Sequence, residues 1–387
     1  MIEPHGGKLI DRVLQGDALA AAQAKAGSLP KLVVNYDTAR DAQNIARGVF
    51  SPCEGFIGKA DLDSILKSYR LANGVVWTIP IMLDVPAQDS VPVGDIALYQ
   101  EGCDSPLAIY HVSEVYAWDK EKTAQAVFGT TETDHPGVRG LFERGDFLVG
   151  GTIDLIDNDR GPYAAFNLFP AETRKVFEDR GWKTTVAFQT RNVPHAGHED
   201  LQKTVLGLCD GLLIQPLIGK KKPGDFKDEV ILEAYKVLIE NYFAPDHVFL
   251  NILPTEMRYG GPKEAVLHAI MRKNYGCTHI VIGRDHAGVS RPGGGAAYYG
   301  EEEAIEFFAN FPELGIEPIM IRGDFWWCTK CNRVASNRNC PHGEELQIPF
   351  SGSLIRKGLQ GGSPPPAEVM RPEVFEVIKQ FAEPFVS

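Results

Sequence analysis

Between a short apolar run and a helical pattern the chain reads Gln189-Thr190-Arg191-Asn192-Val193-Pro194-His195-Ala196-Gly197-His198-Glu199. The segment is therefore a strand-to-helix turn. His195 and His198, three residues apart across the helix start, share one face. That face looks onto a helix N-terminus, where unpaired N–H groups and the macrodipole favour a phosphate. Gln189 and Arg191 leave the strand end on the same side, and an amide beside a guanidinium can hold a second oxyanion there. The same His-x-x-His spacing also serves a capped helix with two packed rings. It could serve a metal site too, although the His-Glu-x-x-His arrangement and a nearby third ligand are missing. The company of Gln, Arg and Asn favours the anion reading.

Two further groups carry chemistry. Gly283-Arg284-Asp285-His286-Ala287-Gly288 follows the apolar run THIVI. It reads as a strand end turning into a loop, with glycines that permit close backbone approach to a ligand and with Arg284 and His286 facing the crevice of Arg191. A turn held by an Arg–Asp pair is the plain alternative. Cys328-x2-Cys331-x8-Cys340-x-His342 offers three thiolates and one imidazole. That is the ligand set of a closed, structural Zn²⁺ site, against which stand reduced cysteines in a surface loop. The spacing differs from that of nucleic-acid-binding fingers, and Trp326-Trp327 beside it reads as packing.

The elements that must position these groups follow from hydrophobic periodicity. Up to about residue 170, apolar or alternating runs such as 75–85, 97–100 and 147–156 predict a mainly β region with helices near 39–46 and 61–70. From about 171 strands alternate with helices: helix, strand 184–190, helix, strand GLLIQPLIG, helix, strand HVFLNILP, a helix with Pro262 in its first turn, then THIVIGRDH. That order implies βαβ crossovers and a parallel sheet, whose ligands bind at the carboxyl ends of the strands. The segment 291–300, RPGGGAAYYG, is a loop able to close over a ligand, and SPPP at 363–366 reads as a rigid turn.

Composition bounds the rest. The 387 residues carry 39 Lys+Arg against 51 Asp+Glu, a net charge of −12, with 44% hydrophobic and 23% charged residues. This is globular composition with room for two or three domains, and the excess of acid argues against nucleic acid or an anionic membrane recognised by bulk charge. No run approaches the ~18 apolar residues of a membrane span, and the N-terminus lacks the apolar core of a signal peptide. A cytoplasmic protein is expected. Seven cysteines, four of them scattered singly, do not read as a disulfide framework.

The 189–199 segment resembles the Gln-x-Arg-Asn-Pro-x-His-x-x-His-Glu signature of ATP sulfurylases, with one departure: the proline stands at Pro194, directly before His195. Pro4-His5-Gly6-Gly7-Lys8-Leu9, Met257-Arg258-Tyr259, Gly283–Gly288, Phe350–Arg356 (with Ser353 where the family has Thr) and Met370–Val374 are similar to further family blocks, in family order. The resemblance implies a β-rich, barrel-like (PUA-like) domain at 1–170, an α/β parallel-sheet, Rossmann-like nucleotidyltransferase domain at 171–322 and a small zinc-bearing domain at 323–387. It implies sulfate between Gln189, Arg191 and the Ala287 N–H, ATP contacted by Asn192, His195, His198, Arg284 and Asp285, Thr190, Gly283 and His286 as further substrate-binding residues, and Arg191, Asn192, His195, His198 and Arg284 as the catalytic set. Mg²⁺ would accompany ATP, with adenylyl sulfate and diphosphate as the other small-molecule partners of a homo-oligomer, dimer or higher. The shifted proline resembles a branch associated with sulfur oxidisers. Together with the lack of a P-loop before Ser387, and hence of a fused kinase, it tilts the expectation toward ATP formation. The rivals are a His-x-x-His adenylyltransferase with a different acceptor and a zinc-containing nucleic-acid-binding protein.

Overall fold

The computed structural model describes residues 1–350, 352–361 and 364–386. Ser351 of the 350–356 block and Ser363 of the Ser-Pro-Pro-Pro turn lie outside the described residues, as do the side chains of Ser353 and Leu354. Two compact units form: Met1–Val176 with Pro254–Thr278 and Ile282–Pro318, and Phe177–Leu253 with His279–Val281 and Ile319–Ser387.

In the first unit β1 (Lys31–Val34), β2 (Asp84–Val85), β3 (Gly94–Gln100), β4 (Ala108–Ala117) and β5 (Phe147–Leu155) make a sheet ordered β1-β3-β4-β5-β2. Only the β1–β3 pairing is parallel. The helix Tyr36–Ala46 starts on Asn35, whose side chain accepts from the Thr38 amide at 2.9 Å. It buries Ala39, Ala42, Ile45 and Ala46, and these mostly small residues let it lie close to β5. The expectation of a strand through 75–85 is corrected: only Asp84–Val85 joins the sheet. Pro80 has no N–H to give to a ladder, and the buried stretch around it, bent at Ile79, is tied by single bonds, Ile57 N–H to the Ile81 carbonyl and Val149 N–H to the Leu83 carbonyl.

The second unit is built on β6 (Thr185–Thr190), β7 (Gly211–Ile218), β8 (Val248–Leu250), β9 (Leu253–Pro254), β10 (His279–Ile282) and β11 (Glu317–Met320). Their order is β11-β10-β6-β7-β8, with β9 also on β7, and β10, β6, β7 and β8 run parallel. Every residue of β7 is buried, as expected for a central strand covered on both faces. Val186, Phe188, Leu212 and Ile214 of the sheet pack with Val230, Ile231, Ala234, Tyr235 and Leu238 of the helix Asp228–Tyr242 and with Val374, Phe375 and Ile378 of the helix Pro372–Lys379. A small antiparallel sheet of β12 (Phe325–Cys328), β13 (Arg333–Ser336) and β14 (Gln347–Pro349), ordered β13-β12-β14, packs on the helix Ala196–Leu206 through β12 and β13. Among the described residues no helix is long and apolar enough to cross a membrane.

Candidate functional site

The polar turn after β6 is set by its own caps. Val193 and Pro194 are buried, and His195 takes the N-cap position of the 196–206 helix, its Nδ1 accepting from the His198 amide at 3.3 Å. With Nδ1 an acceptor, a neutral His195 carries its proton on Nε2 and keeps that donor for a ligand. The His195 and His198 rings stack, centroids 3.7 Å apart at 18°. Phe350 stacks on His195 at 5.2 Å and Phe188 meets His198 edge-on at 5.6 Å. Gly197 is a glycine for steric reasons, since a Cβ there would lie 2.7 Å from the Phe350 ring. Burial makes a charged imidazole costly: His198 is pushed down to about 4, and His195, which also feels His198, well below its ordinary range. Both rings are therefore uncharged at neutral pH.

Glu199, 4% exposed, fixes the helix start from below. It accepts two bonds of 2.8 Å from Arg371 and one of 2.6 Å from Lys203, while the Ala196 amide donates to the Val369 carbonyl at 2.8 Å. Arg371 belongs to the Met370–Val374 block, whose partner in space is thereby found. On the strand side, the buried Gln189 Oε1 has no hydrogen-bond partner. Thr190 Oγ1 and the Asn192 backbone bond each other at 3.2 Å, and the Asn192 side chain is exposed. Arg191 lies 3.6 Å from Asp225, an acidic neighbour that the sequence reading missed.

The 283–288 loop, in the other unit, is strained on both sides of His286: Asp285 (φ 48°) and Ala287 (φ 58°) are left-handed without being glycine. Such residues cost on the order of 1–2 kcal/mol each and persist only where neighbours hold them. Here the Asp285 amide donates to the Glu301 carbonyl at 3.0 Å and the Ala287 carbonyl accepts from Gly261 N–H at 3.1 Å. At Gly288 a Cβ would sit 1.7 Å from Asp285 Oδ1, so a side chain there would displace the Asp285 carboxylate, while at Gly283 it would meet nothing within 4 Å. Arg284 pairs with Glu301 at 2.5 Å. Behind the loop, His286 Nε2 is 3.1 Å from Nδ1 of His268, and His268 Nε2 is 3.4 Å from the buried Glu264. Sequence reasoning missed this pair. The signal was a glutamate at the third position of the helix Pro262–Asn274, four residues before a histidine in an otherwise apolar stretch. The 291–300 segment is tied down by Arg291, which pairs with Glu132 at 3.3 Å, and by the Tyr299 hydroxyl, which donates to the Tyr259 carbonyl at 2.9 Å.

Cys328, Cys331, Cys340 and His342 come together at the β12–β13 turn and the loop before β14, with ligand atoms all within 4.8 Å of one another, a group that can hold a metal ion. His342 Nδ1 is 3.3, 3.3 and 3.4 Å from the three sulfurs, and Cys331 and Cys340 are 3.8 Å apart. None of the seven cysteines is in a disulfide.

Known proteins match along the whole chain. The ATP-sulfurylase family model covers residues 164–381 and a PUA-like domain model residues 2–158. Proteins named sulfate adenylyltransferase are similar over 99% of this chain: 47% identical in Ignicoccus hospitalis and 46% in Thermococcus onnurineus, each over 99% of the relative, and 46% in Hyperthermus butylicus over 97%. A solved structure titled hexameric APS kinase from Thiobacillus denitrificans shares the fold at a TM-score of 0.77 and 20% identity, over 99% of this chain and 69% of that one. On these matches the chain belongs to the ATP-sulfurylase family.

Proposed function

We propose that the chain is a sulfate adenylyltransferase that converts ATP and sulfate to adenylyl sulfate and diphosphate by direct in-line attack of a sulfate oxygen on the α-phosphorus, with no covalent intermediate. The observation that carries the reading is the 189–198 turn. It presents a guanidinium, a buried amide oxygen without a partner and two uncharged, stacked imidazoles at a helix N-terminus following a parallel strand, in a member of the family named for this reaction.

Sulfate is already ionised at neutral pH, so no base is needed. The work is orientation, worth several kcal/mol, and fixed charge, worth about 3 kcal/mol for a well-placed donor. Arg191 is the clamp for sulfate, with Gln189 and Thr190; rotating the Gln189 amide by half a turn exchanges its orphan oxygen for a donor. His195, through Nε2–H, and His198 stabilise the crowded phosphorus and the leaving oxygens. Asn192 contacts the nucleotide; within the other unit, Gly283, Arg284, Asp285, His286 and the Ala287 N–H carry the substrate contacts that the family resemblance implies. Mg²⁺ bound with ATP supplies charge neutralisation at the β,γ-phosphates.

The cysteine group fits structural Zn²⁺. Bonds of about 2.3 Å to sulfur and 2.0–2.1 Å to nitrogen give a tetrahedron with edges of about 3.8 Å (S···S) and 3.5 Å (S···N). The observed 3.8 Å and 3.3–3.4 Å separations lie close to these. With four protein ligands such a metal has no open position and takes no part in the chemistry. The same proposal includes the functional division 1–170, 171–322 and 323–387, a homo-oligomer, small-molecule partners only, and a cytoplasmic site of action. Purified protein supplied with ATP and sulfate, and separately with adenylyl sulfate and diphosphate, should form products both ways, and their ratio sets the favoured direction. Absence of product in both assays would overturn the reading.

A further inference from the structure

Behind His286, one of the residues that would meet substrate, the first unit holds two further buried side chains, and the proton positions along all three can be deduced. Glu264 is fully buried in the first turn of the 262–274 helix. Its two oxygens face donors only: the Arg258 amide at 2.8 Å, the Gly260 amide at 3.0 Å and His268 Nε2 at 3.4 Å. Hydrogen bonding keeps this carboxyl ionised against the cost of its burial. A carboxylate only accepts, so His268 carries a proton on Nε2. Burial, together with the positive charges of Arg272 and Arg258, disfavours a second proton on His268. Its Nδ1 is then a bare acceptor, 3.1 Å from His286 Nε2. That contact needs a donor, and His286 must provide it. His286 is in turn kept uncharged by burial, by His268 and by Arg272, which leaves its Nδ1 without a proton.

We propose that Glu264 and His268 are positioning residues that fix His286 as its neutral, Nε2-protonated tautomer and thereby pin the strained 283–288 loop. The pinned ring stands between the two left-handed residues Asp285 and Ala287. Glu264 holds both strands of the arrangement, since the amides it accepts from precede Gly261, and Gly261 N–H binds the Ala287 carbonyl. The one N–H of the His286 ring is spent inside the protein. His286 therefore brings no positive charge to an anionic substrate, and within the loop that charge falls to Arg284. The consequence for turnover rests on the sulfate adenylyltransferase reading; the tautomer does not.

The test uses the whole chain labelled with ¹⁵N-histidine, with long-range ¹H–¹⁵N spectra at neutral pH and ring signals assigned through His286→Gln and His268→Leu. In the unsubstituted protein both rings should show a protonated Nε2 and a bare Nδ1. Glu264→Leu removes the acceptor at His268 Nε2, so neither ring should be held any longer in the Nε2-protonated form and both should show mixed tautomers. His268→Leu should leave His286 as a mixture of tautomers. Under the functional reading both variants lose about tenfold or more in kcat while KM for ATP moves less than about threefold. A His286 that is Nδ1-protonated or doubly protonated in the unsubstituted protein would overturn the proposal, as would an unaltered Nε2–H pattern in both variants. If the tautomers behave as stated in a protein that makes no adenylyl sulfate, the functional reading fails and the relay stands.

Discussion

Two pairs of histidines, one in each compact unit, are arranged in opposite ways. His195 and His198 lie face to face, 3.7 Å between centroids, with no carboxylate behind them and with the His195 proton left on its outer nitrogen. His268 and His286 meet edge to face at 69°, joined nitrogen to nitrogen and backed by Glu264. Burial keeps all four rings from taking a second proton. On the proposed reading, the stacked pair keeps a donor available for phosphate, whereas the linked pair spends its donors on holding a loop. Neither pair supplies charge, so the burden of meeting anions falls on arginine.

That last point yields the largest expected effect. Arg191→Ala should reduce turnover about 100-fold or more, in line with the loss of one well-placed donor, with the circular dichroism spectrum unchanged. Retention of more than about a tenth of the rate, a loss under ~1.4 kcal/mol, would mean that arginine charge is not what the site depends on. His198→Asn comes next: kcat should fall about 10- to 100-fold while KM for ATP rises less, because the contact strengthens as phosphorus becomes five-coordinate. Unchanged kcat with weakened ATP binding would make the stacked pair a ground-state phosphate contact.

Smaller effects sharpen the contrast. The small sheet packs on the 196–206 helix, and Phe350, just after β14, stacks on His195. Metal analysis should find one zinc per chain, and Cys331→Ser should lose it and melt several degrees lower, at ~2–4 °C per kcal/mol. Below its new melting point it should lose less activity than Arg191→Ala. Full stability without metal would contradict a structural zinc. The smallest effect is on stability against pH. His198 sits at about 4 in the fold and near 6.5 when unfolded. Above 6.5 both states are neutral; between 6.5 and 4 the unfolded chain binds the proton first, so stability falls as pH falls and levels off below 4. The span is up to about 3 kcal/mol. Denaturant midpoints across this window should slope less in His198→Asn than in the unsubstituted protein.

What could be read from the sequence were features carried by neighbours in the chain. TTVAF followed by His195 announced β6 and a helix start, GLLIQPLI announced a buried strand, and Pro262 marked the first turn of its helix. The residues of the cysteine spacing, His342 included, do come together as a group that can hold a metal ion. What could not be read depends on distant partners. Nothing in Glu199 points to Arg371, 172 positions away, and His268 in AVLHAI looks like a core residue until Glu264 and His286 are seen on either side of it. Periodicity also passes over Pro80, which leaves most of the apolar 75–85 run outside any ladder. Nor does it reveal that residues 254–278 return to the unit built by 1–176.

The central claim is direct transfer of the adenylyl group to sulfate at the 189–198 turn. The most direct measurement is exchange of labelled diphosphate into ATP by the purified protein, with and without sulfate. Direct attack without a covalent intermediate allows exchange only when sulfate is present to form adenylyl sulfate and return it. The account predicts exchange that rises with sulfate from a blank-level baseline and collapses in Arg191→Ala. Exchange of equal rate without sulfate would contradict it, because the adenylyl group would then be resting on the protein or on a different acceptor.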